Sequence, residues 1–243
     1  MIRFAIVLLA LPCAAPLWAQ QAPPAPHVIR WYEAGGAAAG VLALMLVDEP
    51  VQRFAQRSRT ATTDGIANVV RHAGQPEVYI TVPVALIGAG LIADKPEIAQ
   101  AGGRAAASLA LAAAVELTLK VVIGRARPDS GLGSRHFDSF SFKARSMPSG
   151  HSALSWALMT SLAGEVRSPW LRAGCYSLAA GTALSRVNDD RHWLSDIAAG
   201  SLIGFTAAKL VGGKWKVFGL EPPRFLVTRS SLTVFLDVSP RRR

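Results

Sequence analysis

The sequence predicts an all-α bundle of about six helices, embedded in a membrane, and three observations carry that expectation. Of 243 residues, 51% are apolar, and aromatic residues make up only 7%. Charged residues amount to 17%, below the quarter usual in soluble domains. Six apolar stretches recur, near residues 34–47, 78–93, 105–123, 152–164, 170–184 and 194–212. Five are too long for typical strands, and all are rich in good helix formers.

Taken in order, residues 1–19 have the form of a secretory signal. Arg3 supplies the positive start, Phe4 to Leu11 the apolar run, and Leu17-Trp18-Ala19 a cleavage site; an uncleaved anchor is the other reading. Cleavage would remove Cys13 and leave Cys175 alone in an apolar segment, so a small core residue is expected there rather than a disulfide or a Cys-based metal site. Residues 20–33 read as an extended mature terminus and residues 34–77 as an N-terminal helical region, where residues 48–77 hold enough Val, Ile and Phe to form surface helices. The core of the chain is residues 78–212, and residues 213–243 form a basic tail. Alternation at Phe225 to Thr228 and Leu232 to Val238 suggests a short β-like hairpin in that tail.

Whether each helix spans a bilayer depends on its length. A 14-residue helix reaches about 21 Å against a hydrocarbon core of ~30 Å, so the stretches at 34 and 152 are marginal. Those at 78, 105 and 194 are better, with Glu116, Asp196 and Lys209 as polar intrusions that must face the bundle interior or an interface. The formal net charge of +10 suits nucleic acid, an anionic membrane surface or phosphorylated substrates. Its distribution removes the first, because no basic stripe is interleaved with aromatics.

Three short blocks carry chemistry. The first is Lys120, six residues, then Arg127-Pro128. On a continuous helix that spacing is nearly two turns, so both cations would point the same way, with Pro128 ending the helix. By itself the block is more simply read as a basic helix end. The second is Pro148-Ser149-Gly150-His151, where Ser149 suits a helix cap, Gly150 permits close backbone approach, and the free N–H groups of the new helix make an anion seat. Ordinary helix-start chemistry would look the same. The third is Ser185-Arg186, five residues, His192, three residues, Asp196, before the last apolar stretch. There His192 and Asp196 would share the first turn of a helix, the carboxylate holding one ring nitrogen while the other faces substrate. A solvated surface pair is the bland alternative. In an up-down bundle, however, all three blocks fall on one rim.

Together these blocks resemble the three-part signature of the type 2 phosphatidic acid phosphatase (PAP2) and vanadium haloperoxidase superfamily. The resemblance implies a metal-independent phosphatase acting through a phosphohistidine. It implies His192 as nucleophile, oriented by Asp196, and His151 as acid toward the leaving alkoxide. Lys120, Arg127 and Arg186, with backbone N–H groups near Ser149 and Gly150, would hold the phosphate oxygens. No cofactor is expected, and vanadate is expected to inhibit. The expected substrate is a lipid phosphate or isoprenyl diphosphate in the membrane; a soluble periplasmic acid phosphatase and a vanadate-dependent haloperoxidase are the alternatives. Arg125, Arg135 and Arg145 read as solvated loop cations and His136 as an exposed loop residue. Trp193 is expected at the membrane interface or packed beside the site, and Ser185 as support for the Arg186 turn.

The expected location is the bacterial inner membrane with the site facing the periplasm. That conflicts with a cleaved signal followed by a spanning stretch 34–47, which would carry the site to the cytoplasm. The basic loop Arg53 to Arg71 and the basic tail point in opposite directions under the positive-inside rule.

Overall fold

The computed structural model describes residues 25–72, 74–141, 145–217, 224–227 and 232–235. The signal segment 1–19 and the start of the extended terminus lie outside the described residues. Eight α-helices occur among those described: α1 Trp31–Met45, α2 Asp48–Arg57, α3 Ala61–His72, α4 Pro76–Ile92, α5 Pro96–Ile123, α6 Gly150–Glu165, α7 Pro169–Asn188 and α8 Leu194–Val211. The six apolar stretches became α1 and α4 to α8, and the polar stretch after residue 47 supplied two more helices.

Local signals account for several boundaries. Pro76, Pro96 and Pro169 each open a helix at its first turn, where the missing N–H costs nothing. Ser168 caps α7 by accepting from the Leu171 N–H at 3.5 Å. The third apolar helix ends earlier than Pro128 implied. Gly124 takes a left-handed φ of 58° directly after Ile123, and a Cβ there would stand 1.7 Å from the Asp138 carbonyl oxygen. Arg127 therefore lies in extended backbone, so helical periodicity is not what brings it towards Lys120.

At the centre, α6 packs against α5, α7 and α8; α4 lies on α5, α3 on α7 and α1 on α8. The core is built from small side chains, with Ala105, Ala112, Ala157, Ala179 and Ala207 buried around Leu109 and Leu158. Small residues allow the helix backbones to approach closely. At Gly204 on α8 a Cβ would sit 2.0 Å from the Ala153 carbonyl oxygen on α6.

Polarity is inverted relative to a soluble bundle. Ser108, Ser152, Ser155, Thr160 and Thr182 are buried, while Leu42, Leu46, Ile80, Val84, Ile92 and Leu117 are exposed. Two helices, α5 and α8, are long and apolar enough to cross a bilayer, and α1 with α2 and α3 with α4 form bent pairs that meet the same test together. Buried hydroxyls beneath an apolar exterior are the arrangement lipid favours. The chain is a membrane-embedded bundle.

Two short sheets complete the fold. β1 (His27–Ile29) pairs in parallel with β2 (Trp215–Val217), and β3 (Arg224–Val227) pairs antiparallel with β4 (Leu232–Phe235) as the expected hairpin. Thr228 and residues 236–238 of that expectation lie outside the described residues. At 18 residues, α8 carries the chain about 27 Å from its start to the β1 and β2 pair. Residues 27–29 are therefore at the opposite end of the bundle from the beginning of α8. The end of α5, the start of α6, the end of α7 and the start of α8 share one rim.

Candidate active site

The rim is organised around a buried carboxylate. Asp196 is the third residue of α8, where its Oδ2 accepts from the Trp193 N–H at 3.0 Å and so caps the helix. The same Oδ2 accepts from Ser146 Oγ at 2.5 Å, and Oδ1 accepts from Arg125 Nη1 at 2.7 Å. These bonds offset the cost of burying the carboxylate. His192 lies just before the helix rather than in its first turn, and only 3% of it is exposed. Its Nδ1 faces Asp196 Oδ2 at 3.7 Å and Ser146 Oγ at 3.5 Å, which leaves Nε2 as the nitrogen turned away from the carboxylate. Burial pushes the proton affinity of His192 down and Asp196 pulls it up, with burial the stronger, so the ring is neutral at neutral pH.

The other two blocks close on this pair. The Ser149 N–H donates to the Asp196 carbonyl oxygen at 3.0 Å, tying the start of α6 to that of α8. Lys120, on the last turn of α5, is paired with the buried Glu116. Gly150 lies against that pair: a Cβ would stand 2.8 Å from Glu116 Oε1 and 3.4 Å from Lys120 Nζ. His151 is half-buried, and its carbonyl accepts from the Tyr79 hydroxyl at 3.2 Å. Burial, and then the charges of Arg186, His192, Lys120 and Arg127, push His151 down to about 4. Arg186 is held at the end of α7 by Asp189, 2.9 Å from Nη1, while its buried Nε has no hydrogen-bond partner among the described residues. Three cations, two imidazoles and the first N–H groups of α6 thus surround one space. Such a set binds a tetrahedral oxyanion. Among the described residues, no three His, Cys, Asp or Glu side chains are grouped to hold a metal ion.

Residues 101–214 match the model of the PAP2 superfamily. Over this region, somewhat less than half of its length, the chain is similar to the PAP2 superfamily. It is 36% identical over 98 residues to a lipid A 1-phosphatase of Porphyromonas gingivalis, a match that covers 40% of this chain and 19% of that protein. The chain thus matches about a fifth of that relative's length. Its fold is similar to that of the transmembrane PAP2 type phosphatidylglycerolphosphate phosphatase of Bacillus subtilis, with a TM-score of 0.59 and 22% identity over 75% of this chain and 95% of that one. Aquifex aeolicus LpxE aligns with a TM-score of 0.49 and 19% identity over 68% of this chain and 94% of that one.

The structure brings Lys120, Arg127, Ser149, Gly150, His151, Arg186, His192 and Asp196 to one rim. It also corrects several details. Ser149 occupies the cap position of α6 but makes no side-chain cap bond, and its Oγ is buried without a partner among the described residues. Arg125 is no solvated loop cation: it is fully buried, its guanidinium lying near the Trp193 and Phe137 rings and its N–H donors meeting Asp48, Ser195 and Asp196. Trp193 is buried over Arg125, its Nε1 donating to the Ala126 carbonyl at 2.9 Å. Ser185 bonds back to the Thr182 carbonyl inside α7. Arg135 and His136 are exposed, and Arg145 is half-buried.

The sequence predicted surface helices after residue 47 but not the contacts that α2 makes with the site. Asp48 contacts Arg125 and Ser195; Glu49 accepts from Ser134; Gln52 and Gln56 both donate to the Val187 carbonyl at the end of α7. The sequence signal was the acidic pair Asp48-Glu49 followed by Gln at 52 and 56, a polar face with helical spacing beside an apolar stretch.

Proposed function

We propose that this protein is a metal-independent lipid phosphatase that cleaves a phosphomonoester or diphosphate on a membrane lipid through a phosphohistidine. One observation carries the reading: a buried His192, its Nδ1 facing Asp196, shares the rim of an apolar-surfaced bundle with a second histidine and three cations. Nε2 attacks phosphorus in line, the bond to the leaving oxygen breaks, and His151 gives that oxygen its proton. Water then attacks the phosphohistidine, His151 takes the water's proton, and phosphate leaves with His192 restored. Lys120, Arg127 and Arg186 balance the charge that develops on the phosphoryl oxygens. The lipid A 1-phosphatase relative, and the apolar surface that would keep a substrate tail in the bilayer, support a lipid substrate over a soluble phosphoester.

His151 must be protonated for the first step, yet burial, and then the surrounding cations, hold it down to about 4. A bound phosphate dianion offsets those cations, so substrate supplies the conditions for its own protonation.

The site is proposed to face the periplasm from the inner membrane. Since residues 27–29 pair with residues 215–217 at the far end of α8, a periplasmic site puts them on the cytoplasmic face. An export signal or spanning anchor before them would instead put residues 27–29 in the periplasm and the site in the cytoplasm, so the labelling experiment below decides between the two expectations.

The deciding experiment is trapping: protein quenched during turnover of a 32P-labelled lipid phosphate should carry acid-labile, base-stable label, absent in His192→Ala. Acid-stable label, or label retained in that variant, would overturn the mechanism.

A further inference from the structure

We propose that Asp48 and Arg125 are positioning residues for the nucleophile, forming with Asp196 a buried line of alternating charge that holds the carboxylate in place and keeps His192 unprotonated. This rests on the reading of His192 as the attacking base. Arg125 is the largest fully buried side chain among the described residues. Its Nη1 donates to Asp196 Oδ1 and to Ser195 Oγ, both at 2.7 Å; Nη2 donates to Asp48 Oδ2 at 2.7 Å, and Nε to the Ser134 carbonyl at 2.8 Å. Its guanidinium carbon stands 5.6 Å from the centre of the Trp193 ring and 5.8 Å from that of Phe137. Asp48 is fixed in turn, Oδ1 accepting from the Ser195 N–H at 2.9 Å and Oδ2 from Ser195 Oγ at 2.5 Å. Asp48 comes from α2, outside the residues that match the PAP2 model.

A buried carboxylate beside an imidazole draws a proton onto the ring, and a protonated ring has no lone pair for attack. Arg125 takes up part of the Asp196 charge and Asp48 part of the Arg125 charge. The groups facing His192 directly are Asp196 from α8, Lys120 from α5, Arg127 after it, and His151 from α6; Arg186 of α7 faces the same space through His151. Arg125 and Asp48 act from behind Asp196. A purely structural network would alter stability and leave the titration of His192 where it was. A positioning network moves it, and in opposite directions for the two charges.

The test uses the full chain in detergent with a soluble aryl phosphate, whose phenolate leaves without needing a proton from His151. The acid limb of kcat/KM then reports His192, together with a substrate ionisation common to every variant. Arg125→Gln is expected to raise the limb by about one pH unit. Asp48→Asn is expected to lower it by less, and the double variant to fall between Arg125→Gln and the unaltered protein. Arg125→Lys, which keeps the charge but loses donors, should keep the limb and lower kcat. The double variant leaves neither charge unpaired and decides the matter if Arg125→Gln does not fold. 15N-histidine NMR titration of His192 should give the same order without turnover. Limbs that stay fixed while kcat falls, or single variants that shift the same way, would overturn the proposal. Trapped phosphohistidine with fixed limbs would sink this inference alone, whereas no phosphohistidine in the unaltered protein would sink the reading beneath it.

Discussion

At the scale of single residues, opposite protonation of the two histidines governs the pH dependence. For His151 to act as the proposed acid it must be protonated, a form present below about 4 and lost as pH rises through that value. With phosphate bound the cations are offset and the loss moves upward. The alkaline limb of kcat should therefore lie above that of kcat/KM; coincident limbs would show that the cations do not control His151. Arg186→Ala removes a donor to the phosphoryl oxygens and should lower kcat/KM by about 10²- to 10³-fold. Gly150→Ala inserts a methyl 2.8 Å from Glu116 Oε1 and should raise KM by displacing the Lys120 pair; unchanged kinetics would remove Gly150 from the site. The roles of these residues could be expected from their spacing because each is local in kind: a helix start, a cation, an imidazole near a carboxylate. Arg125 could not. Two residues before Arg127, in a polar connection, it reads as solvated, and only the packing of Trp193 and Phe137 around it makes it an interior group.

At the scale of elements, helix identity was legible and helix contact was not. Apolar runs and prolines marked α4 to α8 with few boundary errors, and the early end of α5 was signalled by Gly124 rather than Pro128. What holds α6 to α8 is the absence of side chains at Gly200 and Gly204, a pairing no spacing rule supplies. Gly204→Val puts methyl groups where the Ala153 carbonyl stands 2.0 Å from a Cβ, so α8 must shift and His192 with it. Overpacking of this kind costs about 1 to 3 kcal/mol or more, seen as a lower Tm in detergent together with lost activity. A variant of unchanged Tm would show that α6 and α8 have room to separate. The brace formed by α2 was likewise invisible, since a short polar helix declares neither its target nor the direction of its Asp48 carboxylate.

At the scale of the whole molecule, sidedness follows from a contact between the chain's ends. With the site in the periplasm, Val28→Cys should react with a membrane-impermeant maleimide only after the cells are opened, and a cysteine at exposed Arg135 should react in intact cells. The reverse pattern would place the site in the cytoplasm. An apolar exterior around buried serines predicts that a carbonate wash leaves the protein in the membrane fraction; release would end the membrane assignment. By itself the sequence determined that the chain is helical, apolar enough for lipid and furnished with the three blocks proposed to bind phosphate, because period, composition and local motif depend on neighbours along the chain. Tertiary structure decided which charges are buried together, that α2 completes the setting of Asp196, and that residues 27–29 sit opposite the site. Each depends on contacts between segments about 70 to 190 residues apart, which no local pattern encodes.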